Sequence, residues 1–261
     1  MEQEHKFKVD RLTLETGQNL IIPGALLNLQ QPTLFTLGLL GQTNFYTAAV
    51  LLAYPSRGVK IKEEMKDFIS GDFDILMQMM RAQDDASKIN GSLIIALLSL
   101  LFPQYEIKFV GNMVLFNQRE TSQQIIVNEE NYSFIQQAII QVFCLEDIVG
   151  SDTQDKKEDT PMVKRIKEKL RKRHEILAKK KQGSGEMDIL SRYMSIVAVG
   201  MKMSLNDVKQ YTVYQLFDNF KRLQLKDEFD LYVKRATSFG GVKKDEKVTN
   251  WQKDLSEPPD S

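Results

Sequence analysis

Residues 93–127 read LIIALLSLLFPQYEIKFVGNMVLFNQRETSQQIIV, and this stretch decides the fold class. The nearly unbroken apolar run from Leu93 to Phe102 ends at Pro103 and is about half the ~20 residues that a membrane-spanning helix needs, so it predicts a buried helix. The following apolar residues are typical of strands, which we place at 107–110, 113–116 and 125–127, the first two joined by a tight turn at Gly111-Asn112. A helix followed by a small antiparallel sheet predicts an α+β fold.

The rest of the first 150 residues extends this mixed pattern. The spacing of apolar residues between positions 7 and 22 predicts two short strands joined by a polar turn. Gly91 is expected to open the buried helix, and Asn128 or Asn131 to cap a helix that follows the sheet. We therefore predict an N-terminal α+β domain over residues 1–150, with a small antiparallel sheet and several helices.

Composition changes after residue 150 and predicts three further segments. Residues 151–185 are polar and charged, which is typical of a linker. Residues 186–241 have helical periodicity almost throughout and predict an all-α domain, in which Ser204 or Asn206 caps one helix. Residues 242–261 form a polar tail whose apolar pair, Trp251 and Leu255, has helical spacing.

The composition excludes several classes of protein. The chain of 261 residues carries 35 Lys+Arg and 35 Asp+Glu, so a net charge of zero gives no global attraction to nucleic acid or to anionic membranes. A single cysteine cannot form an intramolecular disulfide, and the first residues lack the apolar core of a signal peptide. We expect a protein of the host-cell cytoplasm that is not inserted in a membrane.

The sequence contains no arrangement that is typical of an enzyme. Phosphate-binding loops, dinucleotide fingerprints, nucleophile elbows and zinc motifs are missing, and neither His5 nor His174 has a partner pattern for acid–base chemistry. Cys144 follows an apolar helix face and is predicted to be a buried structural thiol. The pairs Asp72/Asp74 and Asp84/Asp85 are expected to be helix caps or solvated turns. We predict no catalytic residue, no metal and no cofactor.

One segment is strongly basic. Ten Lys or Arg residues lie between Lys164 and Lys181, against Glu168 and Glu175, and an apolar stripe predicts one helix. Such a helix can bind phosphates, but no aromatic or amide side chains alternate with the charges to contact bases. A solvated linker helix is the favoured interpretation, and a nucleic-acid-binding regulator is the alternative.

The C-terminal segment is rich in aromatic residues. These residues are first of all expected to form a core, but a domain of about fifty residues forms only a marginal one, which favours a partner that completes it. The predicted partner-binding residues are Tyr193, Met194, Tyr211, Tyr214, Phe217, Phe220 and Trp251.

Residues 190–241, LSRYMSIVAVGMKMSLNDVKQYTVYQLFDNFKRLQLKDEFDLYVKRATSFGG, followed by NWQKDL, resemble a known family. The stretches SLIIALLSLLFPQYEIKF and NYSFIQQAIIQVFCL share the resemblance. It is to the tail assembly chaperones of tailed bacteriophages that infect Gram-positive hosts, and it covers about residues 87–256.

The resemblance implies a non-enzymatic assembly factor. Such chaperones bind the long helical tape measure protein, keep it soluble and deliver it to the polymerising tail tube protein. Self-association of the N-terminal domain would fit this role. The alternative within the same gene neighbourhoods is a structural tail or baseplate component of the virion.

Overall fold

The computed structural model describes residues 7–58, 71–121, 123–149 and 189–238. The helices are α1 Arg11–Thr16, α2 Leu34–Gly38, α3 Gln42–Ala53, α4 Pro55–Gly58, α5 Asp72–Arg81, α6 Asp85–Leu101, α7 Glu129–Val142, α8 Leu145–Val149, α9 Ile189–Met201, α10 Leu205–Val208 and α11 Val213–Thr237. The strands are β1 Leu20–Ile22, β2 Leu27–Leu29, β3 Tyr105–Val110, β4 Met113–Gln118 and β5 Gln124–Val127. The two small antiparallel sheets, β1-β2 and β3-β4-β5, combined with these helices confirm the predicted α+β class.

The three-stranded sheet follows the predicted pattern. Val110 pairs with Met113 across the turn at Gly111-Asn112, and Gly111 has the positive φ of +53° that such a turn favours. Alternate residues face the core, so Ile107 and Ile125 both lie opposite the buried Phe116. Every second residue of these strands faces the core, so a slip of one residue would turn the apolar side chains to solvent. This fixes the register.

The N-terminal stretch differs from the prediction. Residues 11–16 form α1 rather than a strand, and the strand pair is β1 with β2. The Asp10 carboxylate accepts the N–H of Thr13 at 2.9 Å, and Gly17 ends the helix in the left-handed region at φ +68°. Good caps at both ends stabilise a helix that the alternating apolar residues did not indicate.

The start of the buried helix was also misplaced. Helix α6 begins at Asp85, capped by the Asp84 carboxylate, which accepts the Ser87 N–H at 2.9 Å. Hydrogen bonds from Ser87 lower the pKa of Asp84. Gly91 lies inside the helix, where a Cβ atom would meet the Met80 sulfur at 3.5 Å. The predicted caps Asn128 and Ser204 are confirmed, each in a capping box.

Helix α7 is the centre of the fold. Its buried face contains Tyr132, Ile135, Ala138, Ile139 and Val142. These side chains pack among α3, α5, β1 and β5, and Phe143 meets the Phe45 ring edge to face at 4.9 Å. The main core is therefore arranged around one helix.

The C-terminal helices pack on the same core. Leu34 and Phe35 donate backbone hydrogen bonds to the carbonyls of Tyr211 and Lys209, at 2.8 and 2.9 Å. Gln215 donates from Nε2 to the Glu15 carbonyl at 2.8 Å, and Leu216 is fully buried in the continuous apolar cluster. The division into segments 1–150 and 186–241 stays a prediction, while the segments 151–185 and 242–261 lie outside the described residues.

None of the helices in the described part of the chain is long and apolar enough to cross a membrane.

We expect Gln141→Ala to lower the free energy of unfolding by about 1–3 kcal/mol. The Gln141 amide accepts the Val9 N–H and donates to the Phe7 carbonyl, both at 2.9 Å, and the substitution leaves both groups without this partner. Urea denaturation measures the change, and Gln224→Ala, at an exposed position, is the matched control. Equal stability of the two variants would contradict the role of this amide.

Candidate partner-binding surface

Three of the predicted aromatic residues form a cluster between α9 and α11. The Tyr193 ring stacks on Phe220 with centroids 3.8 Å apart and meets Phe217 edge to face at 5.2 Å. The helices approach closely because Gly200 has no side chain: a Cβ atom there would lie 2.8 Å from Leu223 Cδ1. The cluster therefore holds the two helices together.

The predicted residues differ in how far they are exposed. Phe217 is only 4% exposed, whereas Tyr193, Met194 and Phe220 are half-buried against the core. The Tyr211 hydroxyl donates to the Met203 sulfur at 3.2 Å. Trp251 lies outside the described residues. The partner-binding role stays a prediction, and within the fold these rings serve packing first.

Tyr214 and Phe217 line a cleft of about 470 Å³ between α7 and α11. Ile140 and Cys144 form its other apolar wall. Burial and the nearby Asp218 raise the pKa of Tyr214, so its phenol stays protonated and can donate a hydrogen bond. The cleft thus combines apolar walls with a neutral polar group.

Charged pairs lie at this cleft and beside it. Lys221 Nζ lies 2.8 Å from the Asp147 carboxylate and Arg222 Nε lies 2.8 Å from that of Asp218. The hydrogen bond to Asp218 raises the pKa of Arg222. Because opposite charges are paired around the rim, the cleft has no strong preference for an anion or a cation.

Cys144 is half-buried rather than fully buried as predicted, and it lies at the wall of the cleft, where α7 ends. Its φ of +49° is uncommon for a residue with a side chain and lets the chain turn into α8. Burial and the nearby Asp147 raise the pKa of its thiol to about 12. A thiol that stays protonated is a poor nucleophile and a poor metal ligand, as expected of a structural cysteine.

Within the described ranges, no three His, Cys, Asp or Glu side chains lie together so that they could hold a metal ion.

An exposed apolar surface that the sequence analysis missed lies on α2 and α10. We call Phe35, Leu39 and Leu205 the α2–α10 face; they are 54, 75 and 54% exposed. Phe35 and Leu39 are one turn apart at α2, and Leu205 is one turn before Lys209, whose Nζ lies 5.2 Å from the centre of the Phe35 ring. Three large apolar side chains with a lysine over one of them form a surface that is suited to a partner.

The sequence signal for this surface was ambiguous. Residues 34–40, LFTLGLL, are apolar at many helical positions, and nothing in the pattern separates the buried Leu34 and Leu37 from the exposed Phe35 and Leu39. The backbone bonds between α2 and residues 209–211 decide which side of α2 faces the core.

The chain is similar to a known protein family over its C-terminal part. Residues 179–256 match a protein family described as the YomV second domain. The match points to a phage-associated family. No curated protein and no solved structure is significantly similar to the chain.

We expect Cys144 to react with a thiol reagent at pH 8 about a thousandfold more slowly in the native protein than in urea, because a pKa near 12 reduces the thiolate fraction by that factor. Labelling kinetics measures both rates. A Val199→Cys variant in a Cys144→Ser background is the control, since Val199 is exposed on α9 and should label rapidly without urea. Rapid labelling of native Cys144 would contradict the raised pKa of its thiol.

Proposed function

We propose that this protein is a phage tail assembly chaperone that binds the tape measure protein and promotes assembly of the tail tube. The supporting observation is the match of residues 179–256 to a family that is phage-associated. The matched residues overlap the segment 190–255, which is one of the stretches that resemble tail assembly chaperones.

An exposed apolar surface supports this proposal. A long helical protein that waits for assembly has apolar stripes exposed to water, and a matching apolar face covers them at a gain of roughly 25 cal/mol per Å² of buried apolar area. The α2–α10 face presents Phe35, Leu39 and Leu205 to solvent. An exposed apolar face of only three side chains favours reversible rather than permanent contact, as a chaperone needs.

Two lysines near this face would favour a client with acidic residues. Lys209 covers one side of the Phe35 ring, and Lys202 is exposed at the end of α9. An amphipathic client helix with acidic residues beside its apolar stripe would complement both. The aromatic cluster contributes by holding α9 to α11, which keeps α10 in position.

The proposal is tested by affinity capture from phage-producing cells, with mass spectrometry of the proteins that co-purify. We expect the tagged protein to enrich one very long helical protein together with a tube subunit. The triple variant Phe35→Ser, Leu39→Ser and Leu205→Ser should lose at least nine-tenths of that enrichment, since a hydroxyl replaces each apolar contact. These residues are exposed, so the fold should survive, as circular dichroism verifies.

The matched control is Ile89→Ser, which removes an exposed apolar side chain from α6 on another part of the surface. It should capture the client as well as the unmodified protein. Capture of mature baseplate proteins alone, with the protein at fixed stoichiometry in purified particles, would identify a virion component instead. Recovery of nucleic acid that depends on Lys164 to Lys181 would support the regulator.

A further inference from the structure

The two edges of the three-stranded sheet differ in what lies beside them. At the β5 edge, the outward-facing carbonyl of Ile126 accepts a hydrogen bond from Asn131 Nδ2 at 3.0 Å, so a side chain from the first turn of α7 occupies that edge. The other edge is β3, and none of the described strands pairs with its outer side. An edge strand whose backbone groups are unpaired is a template for a further strand.

The hydrogen-bond pattern identifies the free backbone groups of β3. Arg119 donates its N–H to the Gln104 carbonyl at 3.0 Å, one position before the first pair of β3 with β4. In an antiparallel pair, residues that bond to the neighbouring strand alternate with residues that face away from it. Tyr105, Ile107 and Phe109 therefore face outward. The N–H and C=O groups of Ile107 and Phe109 have no partner within the described ranges.

The sequence of this strand is symmetrical about Ile107. Residues 105–109 read YEIKF, with an aromatic residue at each end and opposite charges, Glu106 and Lys108, on either side of the centre. When two copies of the strand pair antiparallel about Ile107, Tyr105 lies opposite Phe109 of the other copy, and Glu106 lies opposite its Lys108. The edge is thus complementary to itself.

We propose that β3 pairs antiparallel with β3 of a second copy of this chain, about a two-fold axis at Ile107, so that two three-stranded sheets become one continuous sheet. The outward backbone groups match this register. The two Ile107 residues exchange N–H and C=O with each other, and the Phe109 N–H donates to the Tyr105 carbonyl of the other copy. The proposal does not depend on the proposed function, because β3 takes no part in the α2–α10 face.

The charges favour this register over its neighbours. Glu106 and Lys108 lie on the outer face of the sheet with side chains 58 and 53% exposed, and they form an ion pair at 3.1 Å within the chain. Pairing about Ile107 places an opposite charge across the axis from each of them, so the charges alternate both along and across the strands. An axis at Glu106 or at Lys108 would instead set like charges opposite each other. It would also direct toward the second copy those backbone groups that bond to β4.

Apolar contact on the core-facing side adds stabilisation. Phe116 in the middle strand is 1% exposed, whereas Ile107 and Phe109, which face the same side on β3, are only half-buried. A second β3 would cover the flanks of both side chains, with Ile107 against its own copy and Phe109 against Tyr105. Because the edge is short, we expect a weak and reversible dimer.

Sedimentation equilibrium of the full chain tests the dimer. We expect the average mass to rise with concentration from the 30.0 kDa of one chain toward twice that value. Glu106→Lys and Lys108→Glu should each raise the dissociation constant of the dimer by about tenfold or more, because each sets like charges opposite each other on both sides of the axis. An equimolar mixture of these two variants should recover the dimer, since opposite charges face each other in the mixed pair.

The matched control for the charge variants is Glu120→Lys, which makes the same change in charge at an exposed position of the loop between β4 and β5. It should leave the dissociation constant unchanged. Charge variants that dimerise as well as this control, or a mixture that stays monomeric, would overturn the register.

A proline tests whether the backbone edge itself is used. Ile107→Pro removes the outward N–H and no hydrogen bond to β4, so the dimer should be lost while the sheet folds, as circular dichroism verifies. Ile107→Val keeps this N–H and should dimerise like the unmodified chain. A dimer that survives Ile107→Pro would overturn pairing through this edge. An unmodified chain that stays monomeric up to near-millimolar concentration would overturn the proposal and leave the edge to a strand of another protein.

Discussion

The fold depends on side chains of helix α7 that donate hydrogen bonds to backbone carbonyls at the end of another helix. The last carbonyls of a helix have no partner within it, and α3 ends inside the protein. The Tyr132 hydroxyl donates to the Leu52 carbonyl at 2.6 Å, and Gln136 Nε2 donates to that of Ala53 at 3.2 Å. Burial, with a contribution from the nearby Asp72, raises the pKa of Tyr132 well above its usual value, so the phenol remains a donor. A single helix thus provides both the apolar centre and the polar partners that make it possible to bury the end of α3.

Side-chain amides perform the same task elsewhere. The buried Gln31 donates from Nε2 to the carbonyls of Thr13 and Gln18, at 2.9 and 2.7 Å, and so fixes the end of α1 against the start of β1. Gln104 donates to the Asn28 carbonyl and joins β2 to the loop before β3. An amide side chain carries the same donor and acceptor as a peptide group, so it can replace a missing strand or helix neighbour without introducing a charge. Small sheets of two and three strands can therefore be part of one core in this protein.

The sequence predicted turns and helix caps correctly where residues close together in sequence determine them. The turn at Gly111-Asn112 and the caps at Asn128 and Ser204 depend on neighbours in sequence, and the structure confirms them. The pattern failed at α1, where Asp10 and Gly17 outweighed an alternation of apolar residues. Burial of Phe217 and exposure of Phe35 could not be predicted, since each depends on which distant segment packs beside it. The same holds for the glutamines of α7, because a half-polar helix face gives no indication that its amides bind backbone groups more than eighty residues away.

The hydrogen bond from Gln215 to the Glu15 carbonyl joins positions separated by 200 residues. During synthesis the ribosome produces α1, both sheets and α7 long before α11 emerges, so the apolar side chains that α11 will cover remain in contact with water until α11 has been made. Contacts of such long sequence separation form slowly, since a large loop must close before they contribute any stability. A nascent chain that ends before residue 209 would present the surface around α1 and α2 to other proteins in the cell. Helix α11 therefore completes the described core late in synthesis, and premature termination upstream of it should direct the product to proteolysis rather than to the folded state.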